Sequence, residues 1–145
     1  MLIKRTTFSG ANDLTTVFRP LKVEELVGHE VNKNIIKKGL DEGTLPHLML
    51  FTGPAGCGKT TAARIIALGL NCEATNKSTC DPCLECNSCR SIINQNSFDV
   101  VEINVGESGG KADVTKLTEK LHFAPYSCRY KILIFDEAHE LSKAA

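Results

Sequence analysis

Three groups of residues in this chain have types and spacings suited to chemistry. Gly53-Pro54-Ala55-Gly56-Cys57-Gly58-Lys59-Thr60 fits the pattern G-x-x-x-x-G-K-[ST]. The apolar run Ile132-Leu133-Ile134-Phe135 ends in Asp136-Glu137-Ala138-His139. Between these two stretches lie Cys72, Cys80, Cys83, Cys86 and Cys89. The glycine-rich stretch and the acidic strand end point to a nucleoside triphosphate with magnesium. The cysteines narrow that broad class.

A loop that cradles a triphosphate must bring backbone N–H groups up to the phosphate oxygens. That needs glycine where a Cβ would obstruct the approach or where φ is positive. Gly53, Gly56 and Gly58 supply it, and a helix starting at Gly58 aims its N-terminal dipole at the phosphates. Lys59 then reaches the β- and γ-phosphates and the Thr60 hydroxyl ligates magnesium. Pro54, Ala55 and Cys57 complete the loop, with Cys57 a small space-filler. A glycine-rich turn that binds nothing is the bland alternative, and the flanking strand and helix signals argue against it.

Asp136 sits at the C-terminal end of a β-rich apolar strand, where open α/β sheets place ligand-binding groups. There it can hold magnesium, directly or through water, and Glu137 can act as the base that orients an attacking water. Alone, such a strand end reads as a solvated acidic turn; after a full phosphate loop it reads as the second half of one site. His139 is open between nucleotide sensing and a plain helix position. His29, His47 and His122 show no ligand spacing.

Cys80, Cys83, Cys86 and Cys89 lie three residues apart, with Cys72 upstream at the end of the phosphate-loop helix. Tetrahedral zinc takes four thiolates, often from C-x₂-C turns plus remote ligands. Five candidates is one too many, and four consecutive cysteines at this spacing strain to wrap one ion, which favours three of the run plus Cys72. An iron–sulfur cluster, disulfides and free thiols stay open as alternatives. The closing Cys-Pro of the ferredoxin run is absent, and disulfides need an oxidising compartment. A zinc closed by four protein ligands is structural. Cys128 is isolated and reads as packed.

These groups need a scaffold. The 145 residues suffice for one domain with a core, at 42% apolar and 23% charged composition. Seventeen basic residues balance seventeen acidic ones, so no net field draws the chain to nucleic acid. No signal peptide or membrane-spanning stretch is visible, which together with a phosphate loop points to the cytoplasm.

Residues 1–15 read as a loose N-terminal arm. Val31, Ile35, Ile36 and Leu40 recur at helical spacing, with Gly43 as C-cap. Leu48–Phe51 reads as a buried strand, and a helix is expected from Gly58 to about Leu70 with Ala62, Ile65, Ile66 and Leu70 inward. Residues 72–89 read as a loop-rich excursion and Phe98–Ile103 as a second strand. Gly106–Gly110 is a flexible connection, and a helix carrying Val114, Leu117 and Leu121 ends near His122. Lys131–Phe135 is the third strand, and a helix starts at Ala138. Strands alternating with helices argue for a parallel α/β sheet.

The combination resembles the gamma/tau family of bacterial DNA polymerase III clamp-loader subunits, which are AAA+ ATPases. The resemblance runs over about residues 14–145. It is carried by Phe18-Arg19-Pro20, Val27-Gly28-His29-Glu30, Pro46 to Pro54, and Leu70-Asn71-Cys72-Glu73. Cys83 to Arg90, Glu102-Ile103-Asn104, Phe123-Ala124-Pro125 and Lys131 to Ser142 complete it. The two nucleotide motifs are shared by many ATPases; a cysteine module straight after the phosphate-loop helix is far more specific. The resemblance implies Cys72, Cys83, Cys86 and Cys89 as zinc ligands, with Cys80 an extra that could replace one of them. It also implies Gly53–Thr60 as the nucleotide loop, Asp136 and Glu137 as the acidic pair, and Val27 and Gly28 near adenine. Asn104 to Gly110 and Ala138 depart from the family pattern and suggest a divergent relative.

The expected fold is thus a P-loop NTPase of the AAA+ type: a parallel sheet flanked by helices, with a zinc insertion at 72–89 inside a partial nucleotide-binding domain over 16–145. In the family the strands bearing the two motifs flank a strand that comes later in sequence. Sensor residues, an arginine completing a neighbour's site, a helical lid and a pentamer collar follow it. The sheet is therefore expected to be incomplete in this chain, and the chain weak as an independent enzyme. The implied function is ATP binding and hydrolysis, with ATP, magnesium and zinc as cofactors. The implied partners are the other subunits of a hetero-pentameric clamp loader, a sliding clamp and primer–template DNA. An Asp-Glu-Ala-His helicase core and a non-catalytic zinc-bearing scaffold are the alternatives.

Overall fold

The computed structural model describes residues 18–106 and 123–140. The expected arm, the helix around Val114–Leu121 and most of the Gly106–Gly110 connection lie outside these. A single 3₁₀ turn at Val23–Glu25 precedes α1 (Glu30–Glu42), α2 (Lys59–Asn71) and α3 (Asn87–Ile93). Strands β1 (Val100–Asn104) and β2 (Ile132–Asp136) follow, then a 3₁₀ turn at Ala138–Glu140. β1 and β2 are parallel, in a register that sets Glu102 beside Ile134 and Asn104 beside Asp136. The expected mixed α/β architecture with a parallel sheet is present, with a two-stranded sheet among the described residues.

The second helix organises the core. Its sequence is apolar on nearly every side, and Ala62, Ile65, Ile66, Ala67, Leu68, Gly69 and Asn71 are all buried. One flank packs with Val23, Ile36 and Leu40, joined by Met49 and Phe51. The other packs with Cys72, Cys89, Ile92, Val100 and Ile134. Full burial of a side chain such as Ile65 or Leu68 contributes about 1.5–3 kcal/mol, so this helix carries much of the apolar stabilisation. Gly69 is needed for close approach: a Cβ there would lie 2.4 Å from the Thr79 carbonyl oxygen.

Several expectations need correction. In α1, Ile36, Gly39 and Leu40 are buried, but Val31 and Ile35 are 73% and 61% exposed, so half of the apolar pattern faces outward. Gly43 does end that helix in the left-handed region, its N–H donating to Leu40 and that of Thr44 to Gly39. Leu48–Phe51 has no ladder partner and forms no strand among the described residues. Met49 and Phe51 pack inward while Leu48 and Leu50 are exposed, so only the alternation of a strand survives.

The second expected strand starts two residues late. The Ser97 hydroxyl accepts from the N–H groups of Asp99 and Val100, and this turn throws Phe98 outward at 79% exposure. The cysteine excursion runs into a helix, α3, whose first turn its polar composition concealed. The expected helix from Ala138 begins as a 3₁₀ turn at Ala138–Glu140, and the remainder of that expectation lies outside the described residues.

Candidate functional site

At its N-terminus, α2 emerges from the glycine-rich loop. Gly56 and Gly58 have φ of 78° and 92°, in the region that L side chains rarely adopt. Gly53 serves a steric need: a Cβ would meet the Cys57 sulfur at 2.9 Å, so the thiol fills the space glycine leaves. Pro54 accepts from the Cys57 N–H, and the loop with Ala55 stays exposed. The Lys59 ammonium donates to the Gly53 and Pro54 carbonyls at 3.0 and 2.9 Å, which holds it against the loop.

Two residues 76 positions apart meet here. The Thr60 hydroxyl donates to Asp136 Oδ2 at 2.8 Å, joining the start of α2 to the end of β2. Asp136 Oδ1 accepts from the Glu137 N–H at 3.0 Å. Glu137 itself has φ of 54°, a left-handed conformation that costs about 1 kcal/mol for a non-glycine residue. That kink sends its exposed carboxylate toward His139, whose Nδ1 lies 3.2 Å from Glu137 Oε2. Val27 is 95% exposed, and Gly28 and His29 adopt left-handed φ at the entry to α1. One helical turn below Thr60, Arg64 forms a two-pronged ion pair with Glu102 of β1, Nε to Oε2 at 2.6 Å and Nη2 to Oε1 at 2.7 Å.

At the other end of α2 the chain enters the cysteine module. The sulfurs of Cys72, Cys83, Cys86 and Cys89 all lie within 4.8 Å of one another. Thiolates about 2.3 Å from a tetrahedral ion stand about 3.8 Å apart, so the four fit zinc with little movement. Cys80 lies outside this group and packs beside Val23, Ile36 and Leu40. Its N–H donates to Asp41 and burial pushes its thiol pKa up, which disfavours the thiolate a metal needs.

Backbone N–H groups point at the cluster. Cys72 Sγ accepts from Cys83 at 3.3 Å, and Cys83 Sγ accepts from Glu85 and Cys86 at 3.5 and 3.3 Å. Cys86 Sγ accepts from Glu73 and Cys89 and caps α3. Burial opposes the Cys83 thiolate, but the N–H groups of Glu85 and Cys86 outweigh it and bring the pKa down to about 7. Burial, with Cys86 beside it, pushes the Cys89 thiol up.

Sequence reasoning missed the residues that clamp this end. Arg129 donates to the carbonyls of Leu70, Cys72 and Thr75, so one guanidinium spans the end of α2 and the first cysteine loop. Asn71, 1% exposed, exchanges two hydrogen bonds with the backbone of Tyr130. Asp99, fully buried, accepts from the N–H groups of Tyr126, Ser127 and Cys128 at 2.7, 2.7 and 2.9 Å. Burial raises the Asp99 pKa, but those three N–H groups outweigh it and hold the carboxyl below its ordinary range. Cys128 has its sulfur 3.6 Å from the Ser88 hydroxyl, within the packed region. No local pattern announces these contacts, because the partners are 27 to 59 residues apart.

Among the described residues no helix is long and apolar enough to cross a membrane. The family model described as "DNA polymerase III, delta subunit" matches residues 28–145. The chain is 39% identical over 132 residues to DNA polymerase III subunit tau of Bacillus subtilis, covering 91% of this chain and 23% of that protein. It is 40% identical over 129 residues to DNA polymerase III subunit gamma/tau of Mycobacterium tuberculosis, covering 88% of this chain and 22% of the relative. Against DNA polymerase III subunit tau of Escherichia coli K12 the identity is 35% over 130 residues, 90% of this chain and 20% of the relative. The chain thus spans less than a quarter of the length of these curated relatives.

Proposed function

Because this chain belongs to the DNA polymerase III delta-subunit family and is homologous to the N-terminal region of the gamma/tau subunits, we propose that it forms the nucleotide-binding part of a clamp-loader ATPase. On this reading it works in the cytoplasm with the other subunits of a hetero-pentameric loader, and ATP binding and hydrolysis drive placement of a sliding clamp on primed DNA. The domain is taken as residues 16–145, with residues 1–15 as an arm and the cysteine insertion at 72–89.

The observation that carries the reading is the 2.8 Å hydrogen bond from Thr60 to Asp136 at the mouth of the glycine-rich loop. A hydroxyl and a carboxylate that meet beside such a loop are the pair a magnesium–triphosphate needs. Bound magnesium would neutralise charge on the β- and γ-phosphate oxygens. Thr60 and Asp136 would hold it. Gly53, Pro54, Ala55, Gly56, Cys57 and Gly58 would turn their backbone toward the phosphates, and Lys59 would exchange its loop carbonyls for phosphate oxygens. Glu137 would orient the attacking water, with His139 beside its carboxylate. Val27 and Gly28 would approach the base. Cys72, Cys83, Cys86 and Cys89 would hold a structural zinc.

The test is binding of a fluorescent ATP analogue to the zinc-loaded protein. Lys59→Ala should weaken binding about 10- to 100-fold, the worth of charge-assisted hydrogen bonds to phosphate. Zinc content should not move, because Lys59 lies at the opposite end of α2 from the cysteines. Equal affinity in wild type and variant would sink the reading. Nucleotide binding without turnover, even beside partner subunits and clamp, would favour the non-catalytic scaffold.

A further inference from the structure

We propose that Arg64 and Glu102 are positioning residues for the magnesium end of the nucleotide site: their ion pair sets the height and rotation of α2 at which Thr60 meets Asp136. The inference rests on the nucleotide reading above and adds a specific device to it.

The spacings along the helix and along the strands match. Thr60 and Arg64 are four residues apart on α2, so they share a face and differ by about 6 Å in height. Asn104 is the partner of Asp136 in the sheet, and Glu102 lies two residues before it on the same face. Two residues of strand span about 6.6 Å. The contacts Thr60–Asp136 and Arg64–Glu102 are therefore two rungs of one ladder, with the same spacing on the helix as on the strands. The upper rung ends on β2 and the lower on β1. Anchored to two neighbouring strands, α2 is fixed in rotation as well as height.

At the far end of α2, Asn71 and Arg129 hold its last turn to the residues just before β2, which leaves the placement of its first turns to be set. Ala67 and Leu68 meet Val100 and Ile134 through apolar contacts, which are non-directional and tolerate sliding. A fork of two parallel N–H···O bonds at 2.6 and 2.7 Å fixes orientation as well as distance. The side chains are 20% and 24% exposed, so solvent screens the pair and its consequence is geometric more than energetic. Without the fork, the first turns of α2 can tilt about that far anchor and move Thr60 relative to Asp136, while the loop backbone proposed to contact phosphate keeps its own glycine-determined shape.

The experiment compares affinity for a fluorescent ATP analogue in magnesium and in EDTA, using the full-length protein and the variants Glu102→Gln and Arg64→Lys. Glutamine keeps the shape of Glu102 without its charge; lysine keeps the charge of Arg64 without the fork. Affinity in EDTA should stay within about twofold of wild type, while the strengthening produced by magnesium should fall about tenfold, as expected for ligands displaced by a fraction of an ångström to one ångström. Zinc content reports whether either variant is folded, and one folded variant suffices. An unchanged magnesium increment in a folded variant overturns the positioning role and leaves the nucleotide reading intact. Equal losses with and without magnesium overturn it as well, since they indicate general loosening. A wild-type protein that binds no nucleotide overturns the underlying reading and the positioning role with it.

Discussion

The two ends of α2 are built in opposite ways. At the phosphate end the loop is exposed, its lysine rests on two carbonyls, and one hydroxyl–carboxylate bond reaches β2. At the cysteine end, Cys72, Cys89, Asn71 and Asp99 are buried, and Arg129 ties three carbonyls together. A site that must admit a ligand keeps its polar groups accessible and lightly held. A structural junction satisfies each buried polar group within the protein, because an unpaired one costs about 1–3 kcal/mol. On the proposed function, the same helix joins a nucleotide-binding surface to an over-determined base.

The largest expected effect comes from breaking the base at the cysteines proposed to hold zinc. Cys72→Ser should remove zinc and destabilise the protein by about 5 kcal/mol or more, since structural zinc binding is folding free energy. For a domain of this size that is a fall in Tm of about 10–20 °C. Metal analysis alongside thermal melts checks it, and a chelator should reproduce the effect in wild type. If zinc leaves and the Tm stays, the base is not held by its metal and the contrast between the two ends collapses.

A smaller effect separates the metal from the polar clamp. Asp99→Asn keeps an acceptor in place but loses the charge that three backbone N–H groups address, and should cost about 1–3 kcal/mol with zinc retained. The sign with pH follows from the lowered Asp99 pKa. The carboxylate's stabilisation is full above the unfolded-state value and is lost as pH falls through the folded one. The gap between wild type and Asp99→Asn in urea melts should therefore be constant from neutral pH to about 5 and narrow below about pH 4. A gap that persists unchanged to low pH would mean that shape, not charge, matters at Asp99.

The same contrast explains what could be read from the residues in advance. The phosphate loop and the cysteine run are local patterns, where spacing reports geometry directly. Their elements followed: α2 begins at Lys59, and four of the five clustered cysteines converge. The clamp residues carry no such signal, since Arg129 reaches back 54 to 59 residues to carbonyls that every residue possesses. Periodicity misled for α1 because Val31 and Ile35 share the helical spacing of the buried stripe while pointing away from it. Leu48–Phe51 has the alternation of a strand, yet strand identity depends on a neighbour, which no residue within the segment specifies. The short α3 was hidden because a thiol, Cys86, caps it in place of the usual hydroxyl or carboxylate.

The fifth cysteine gives the finest division between the ends. Spacing alone allowed Cys80 to stand in for Cys72, since both precede the Cys83-x-x-Cys86-x-x-Cys89 run. Packing separates them: Cys72 is fully buried with its sulfur in the cluster, whereas Cys80 lies on the α1 side of α2 beside Leu40. Cys80→Ser should therefore keep one zinc per protein and cost about 1 kcal/mol or less, the penalty of a slightly more polar atom at a half-buried position. The partner measurement is zinc affinity, which should change by less than about twofold where Cys72→Ser loses the metal. If Cys80→Ser also releases zinc, the ion draws on both sides of α2, and the base of the helix is a shared metal site instead of a four-cysteine knot sealed on one flank.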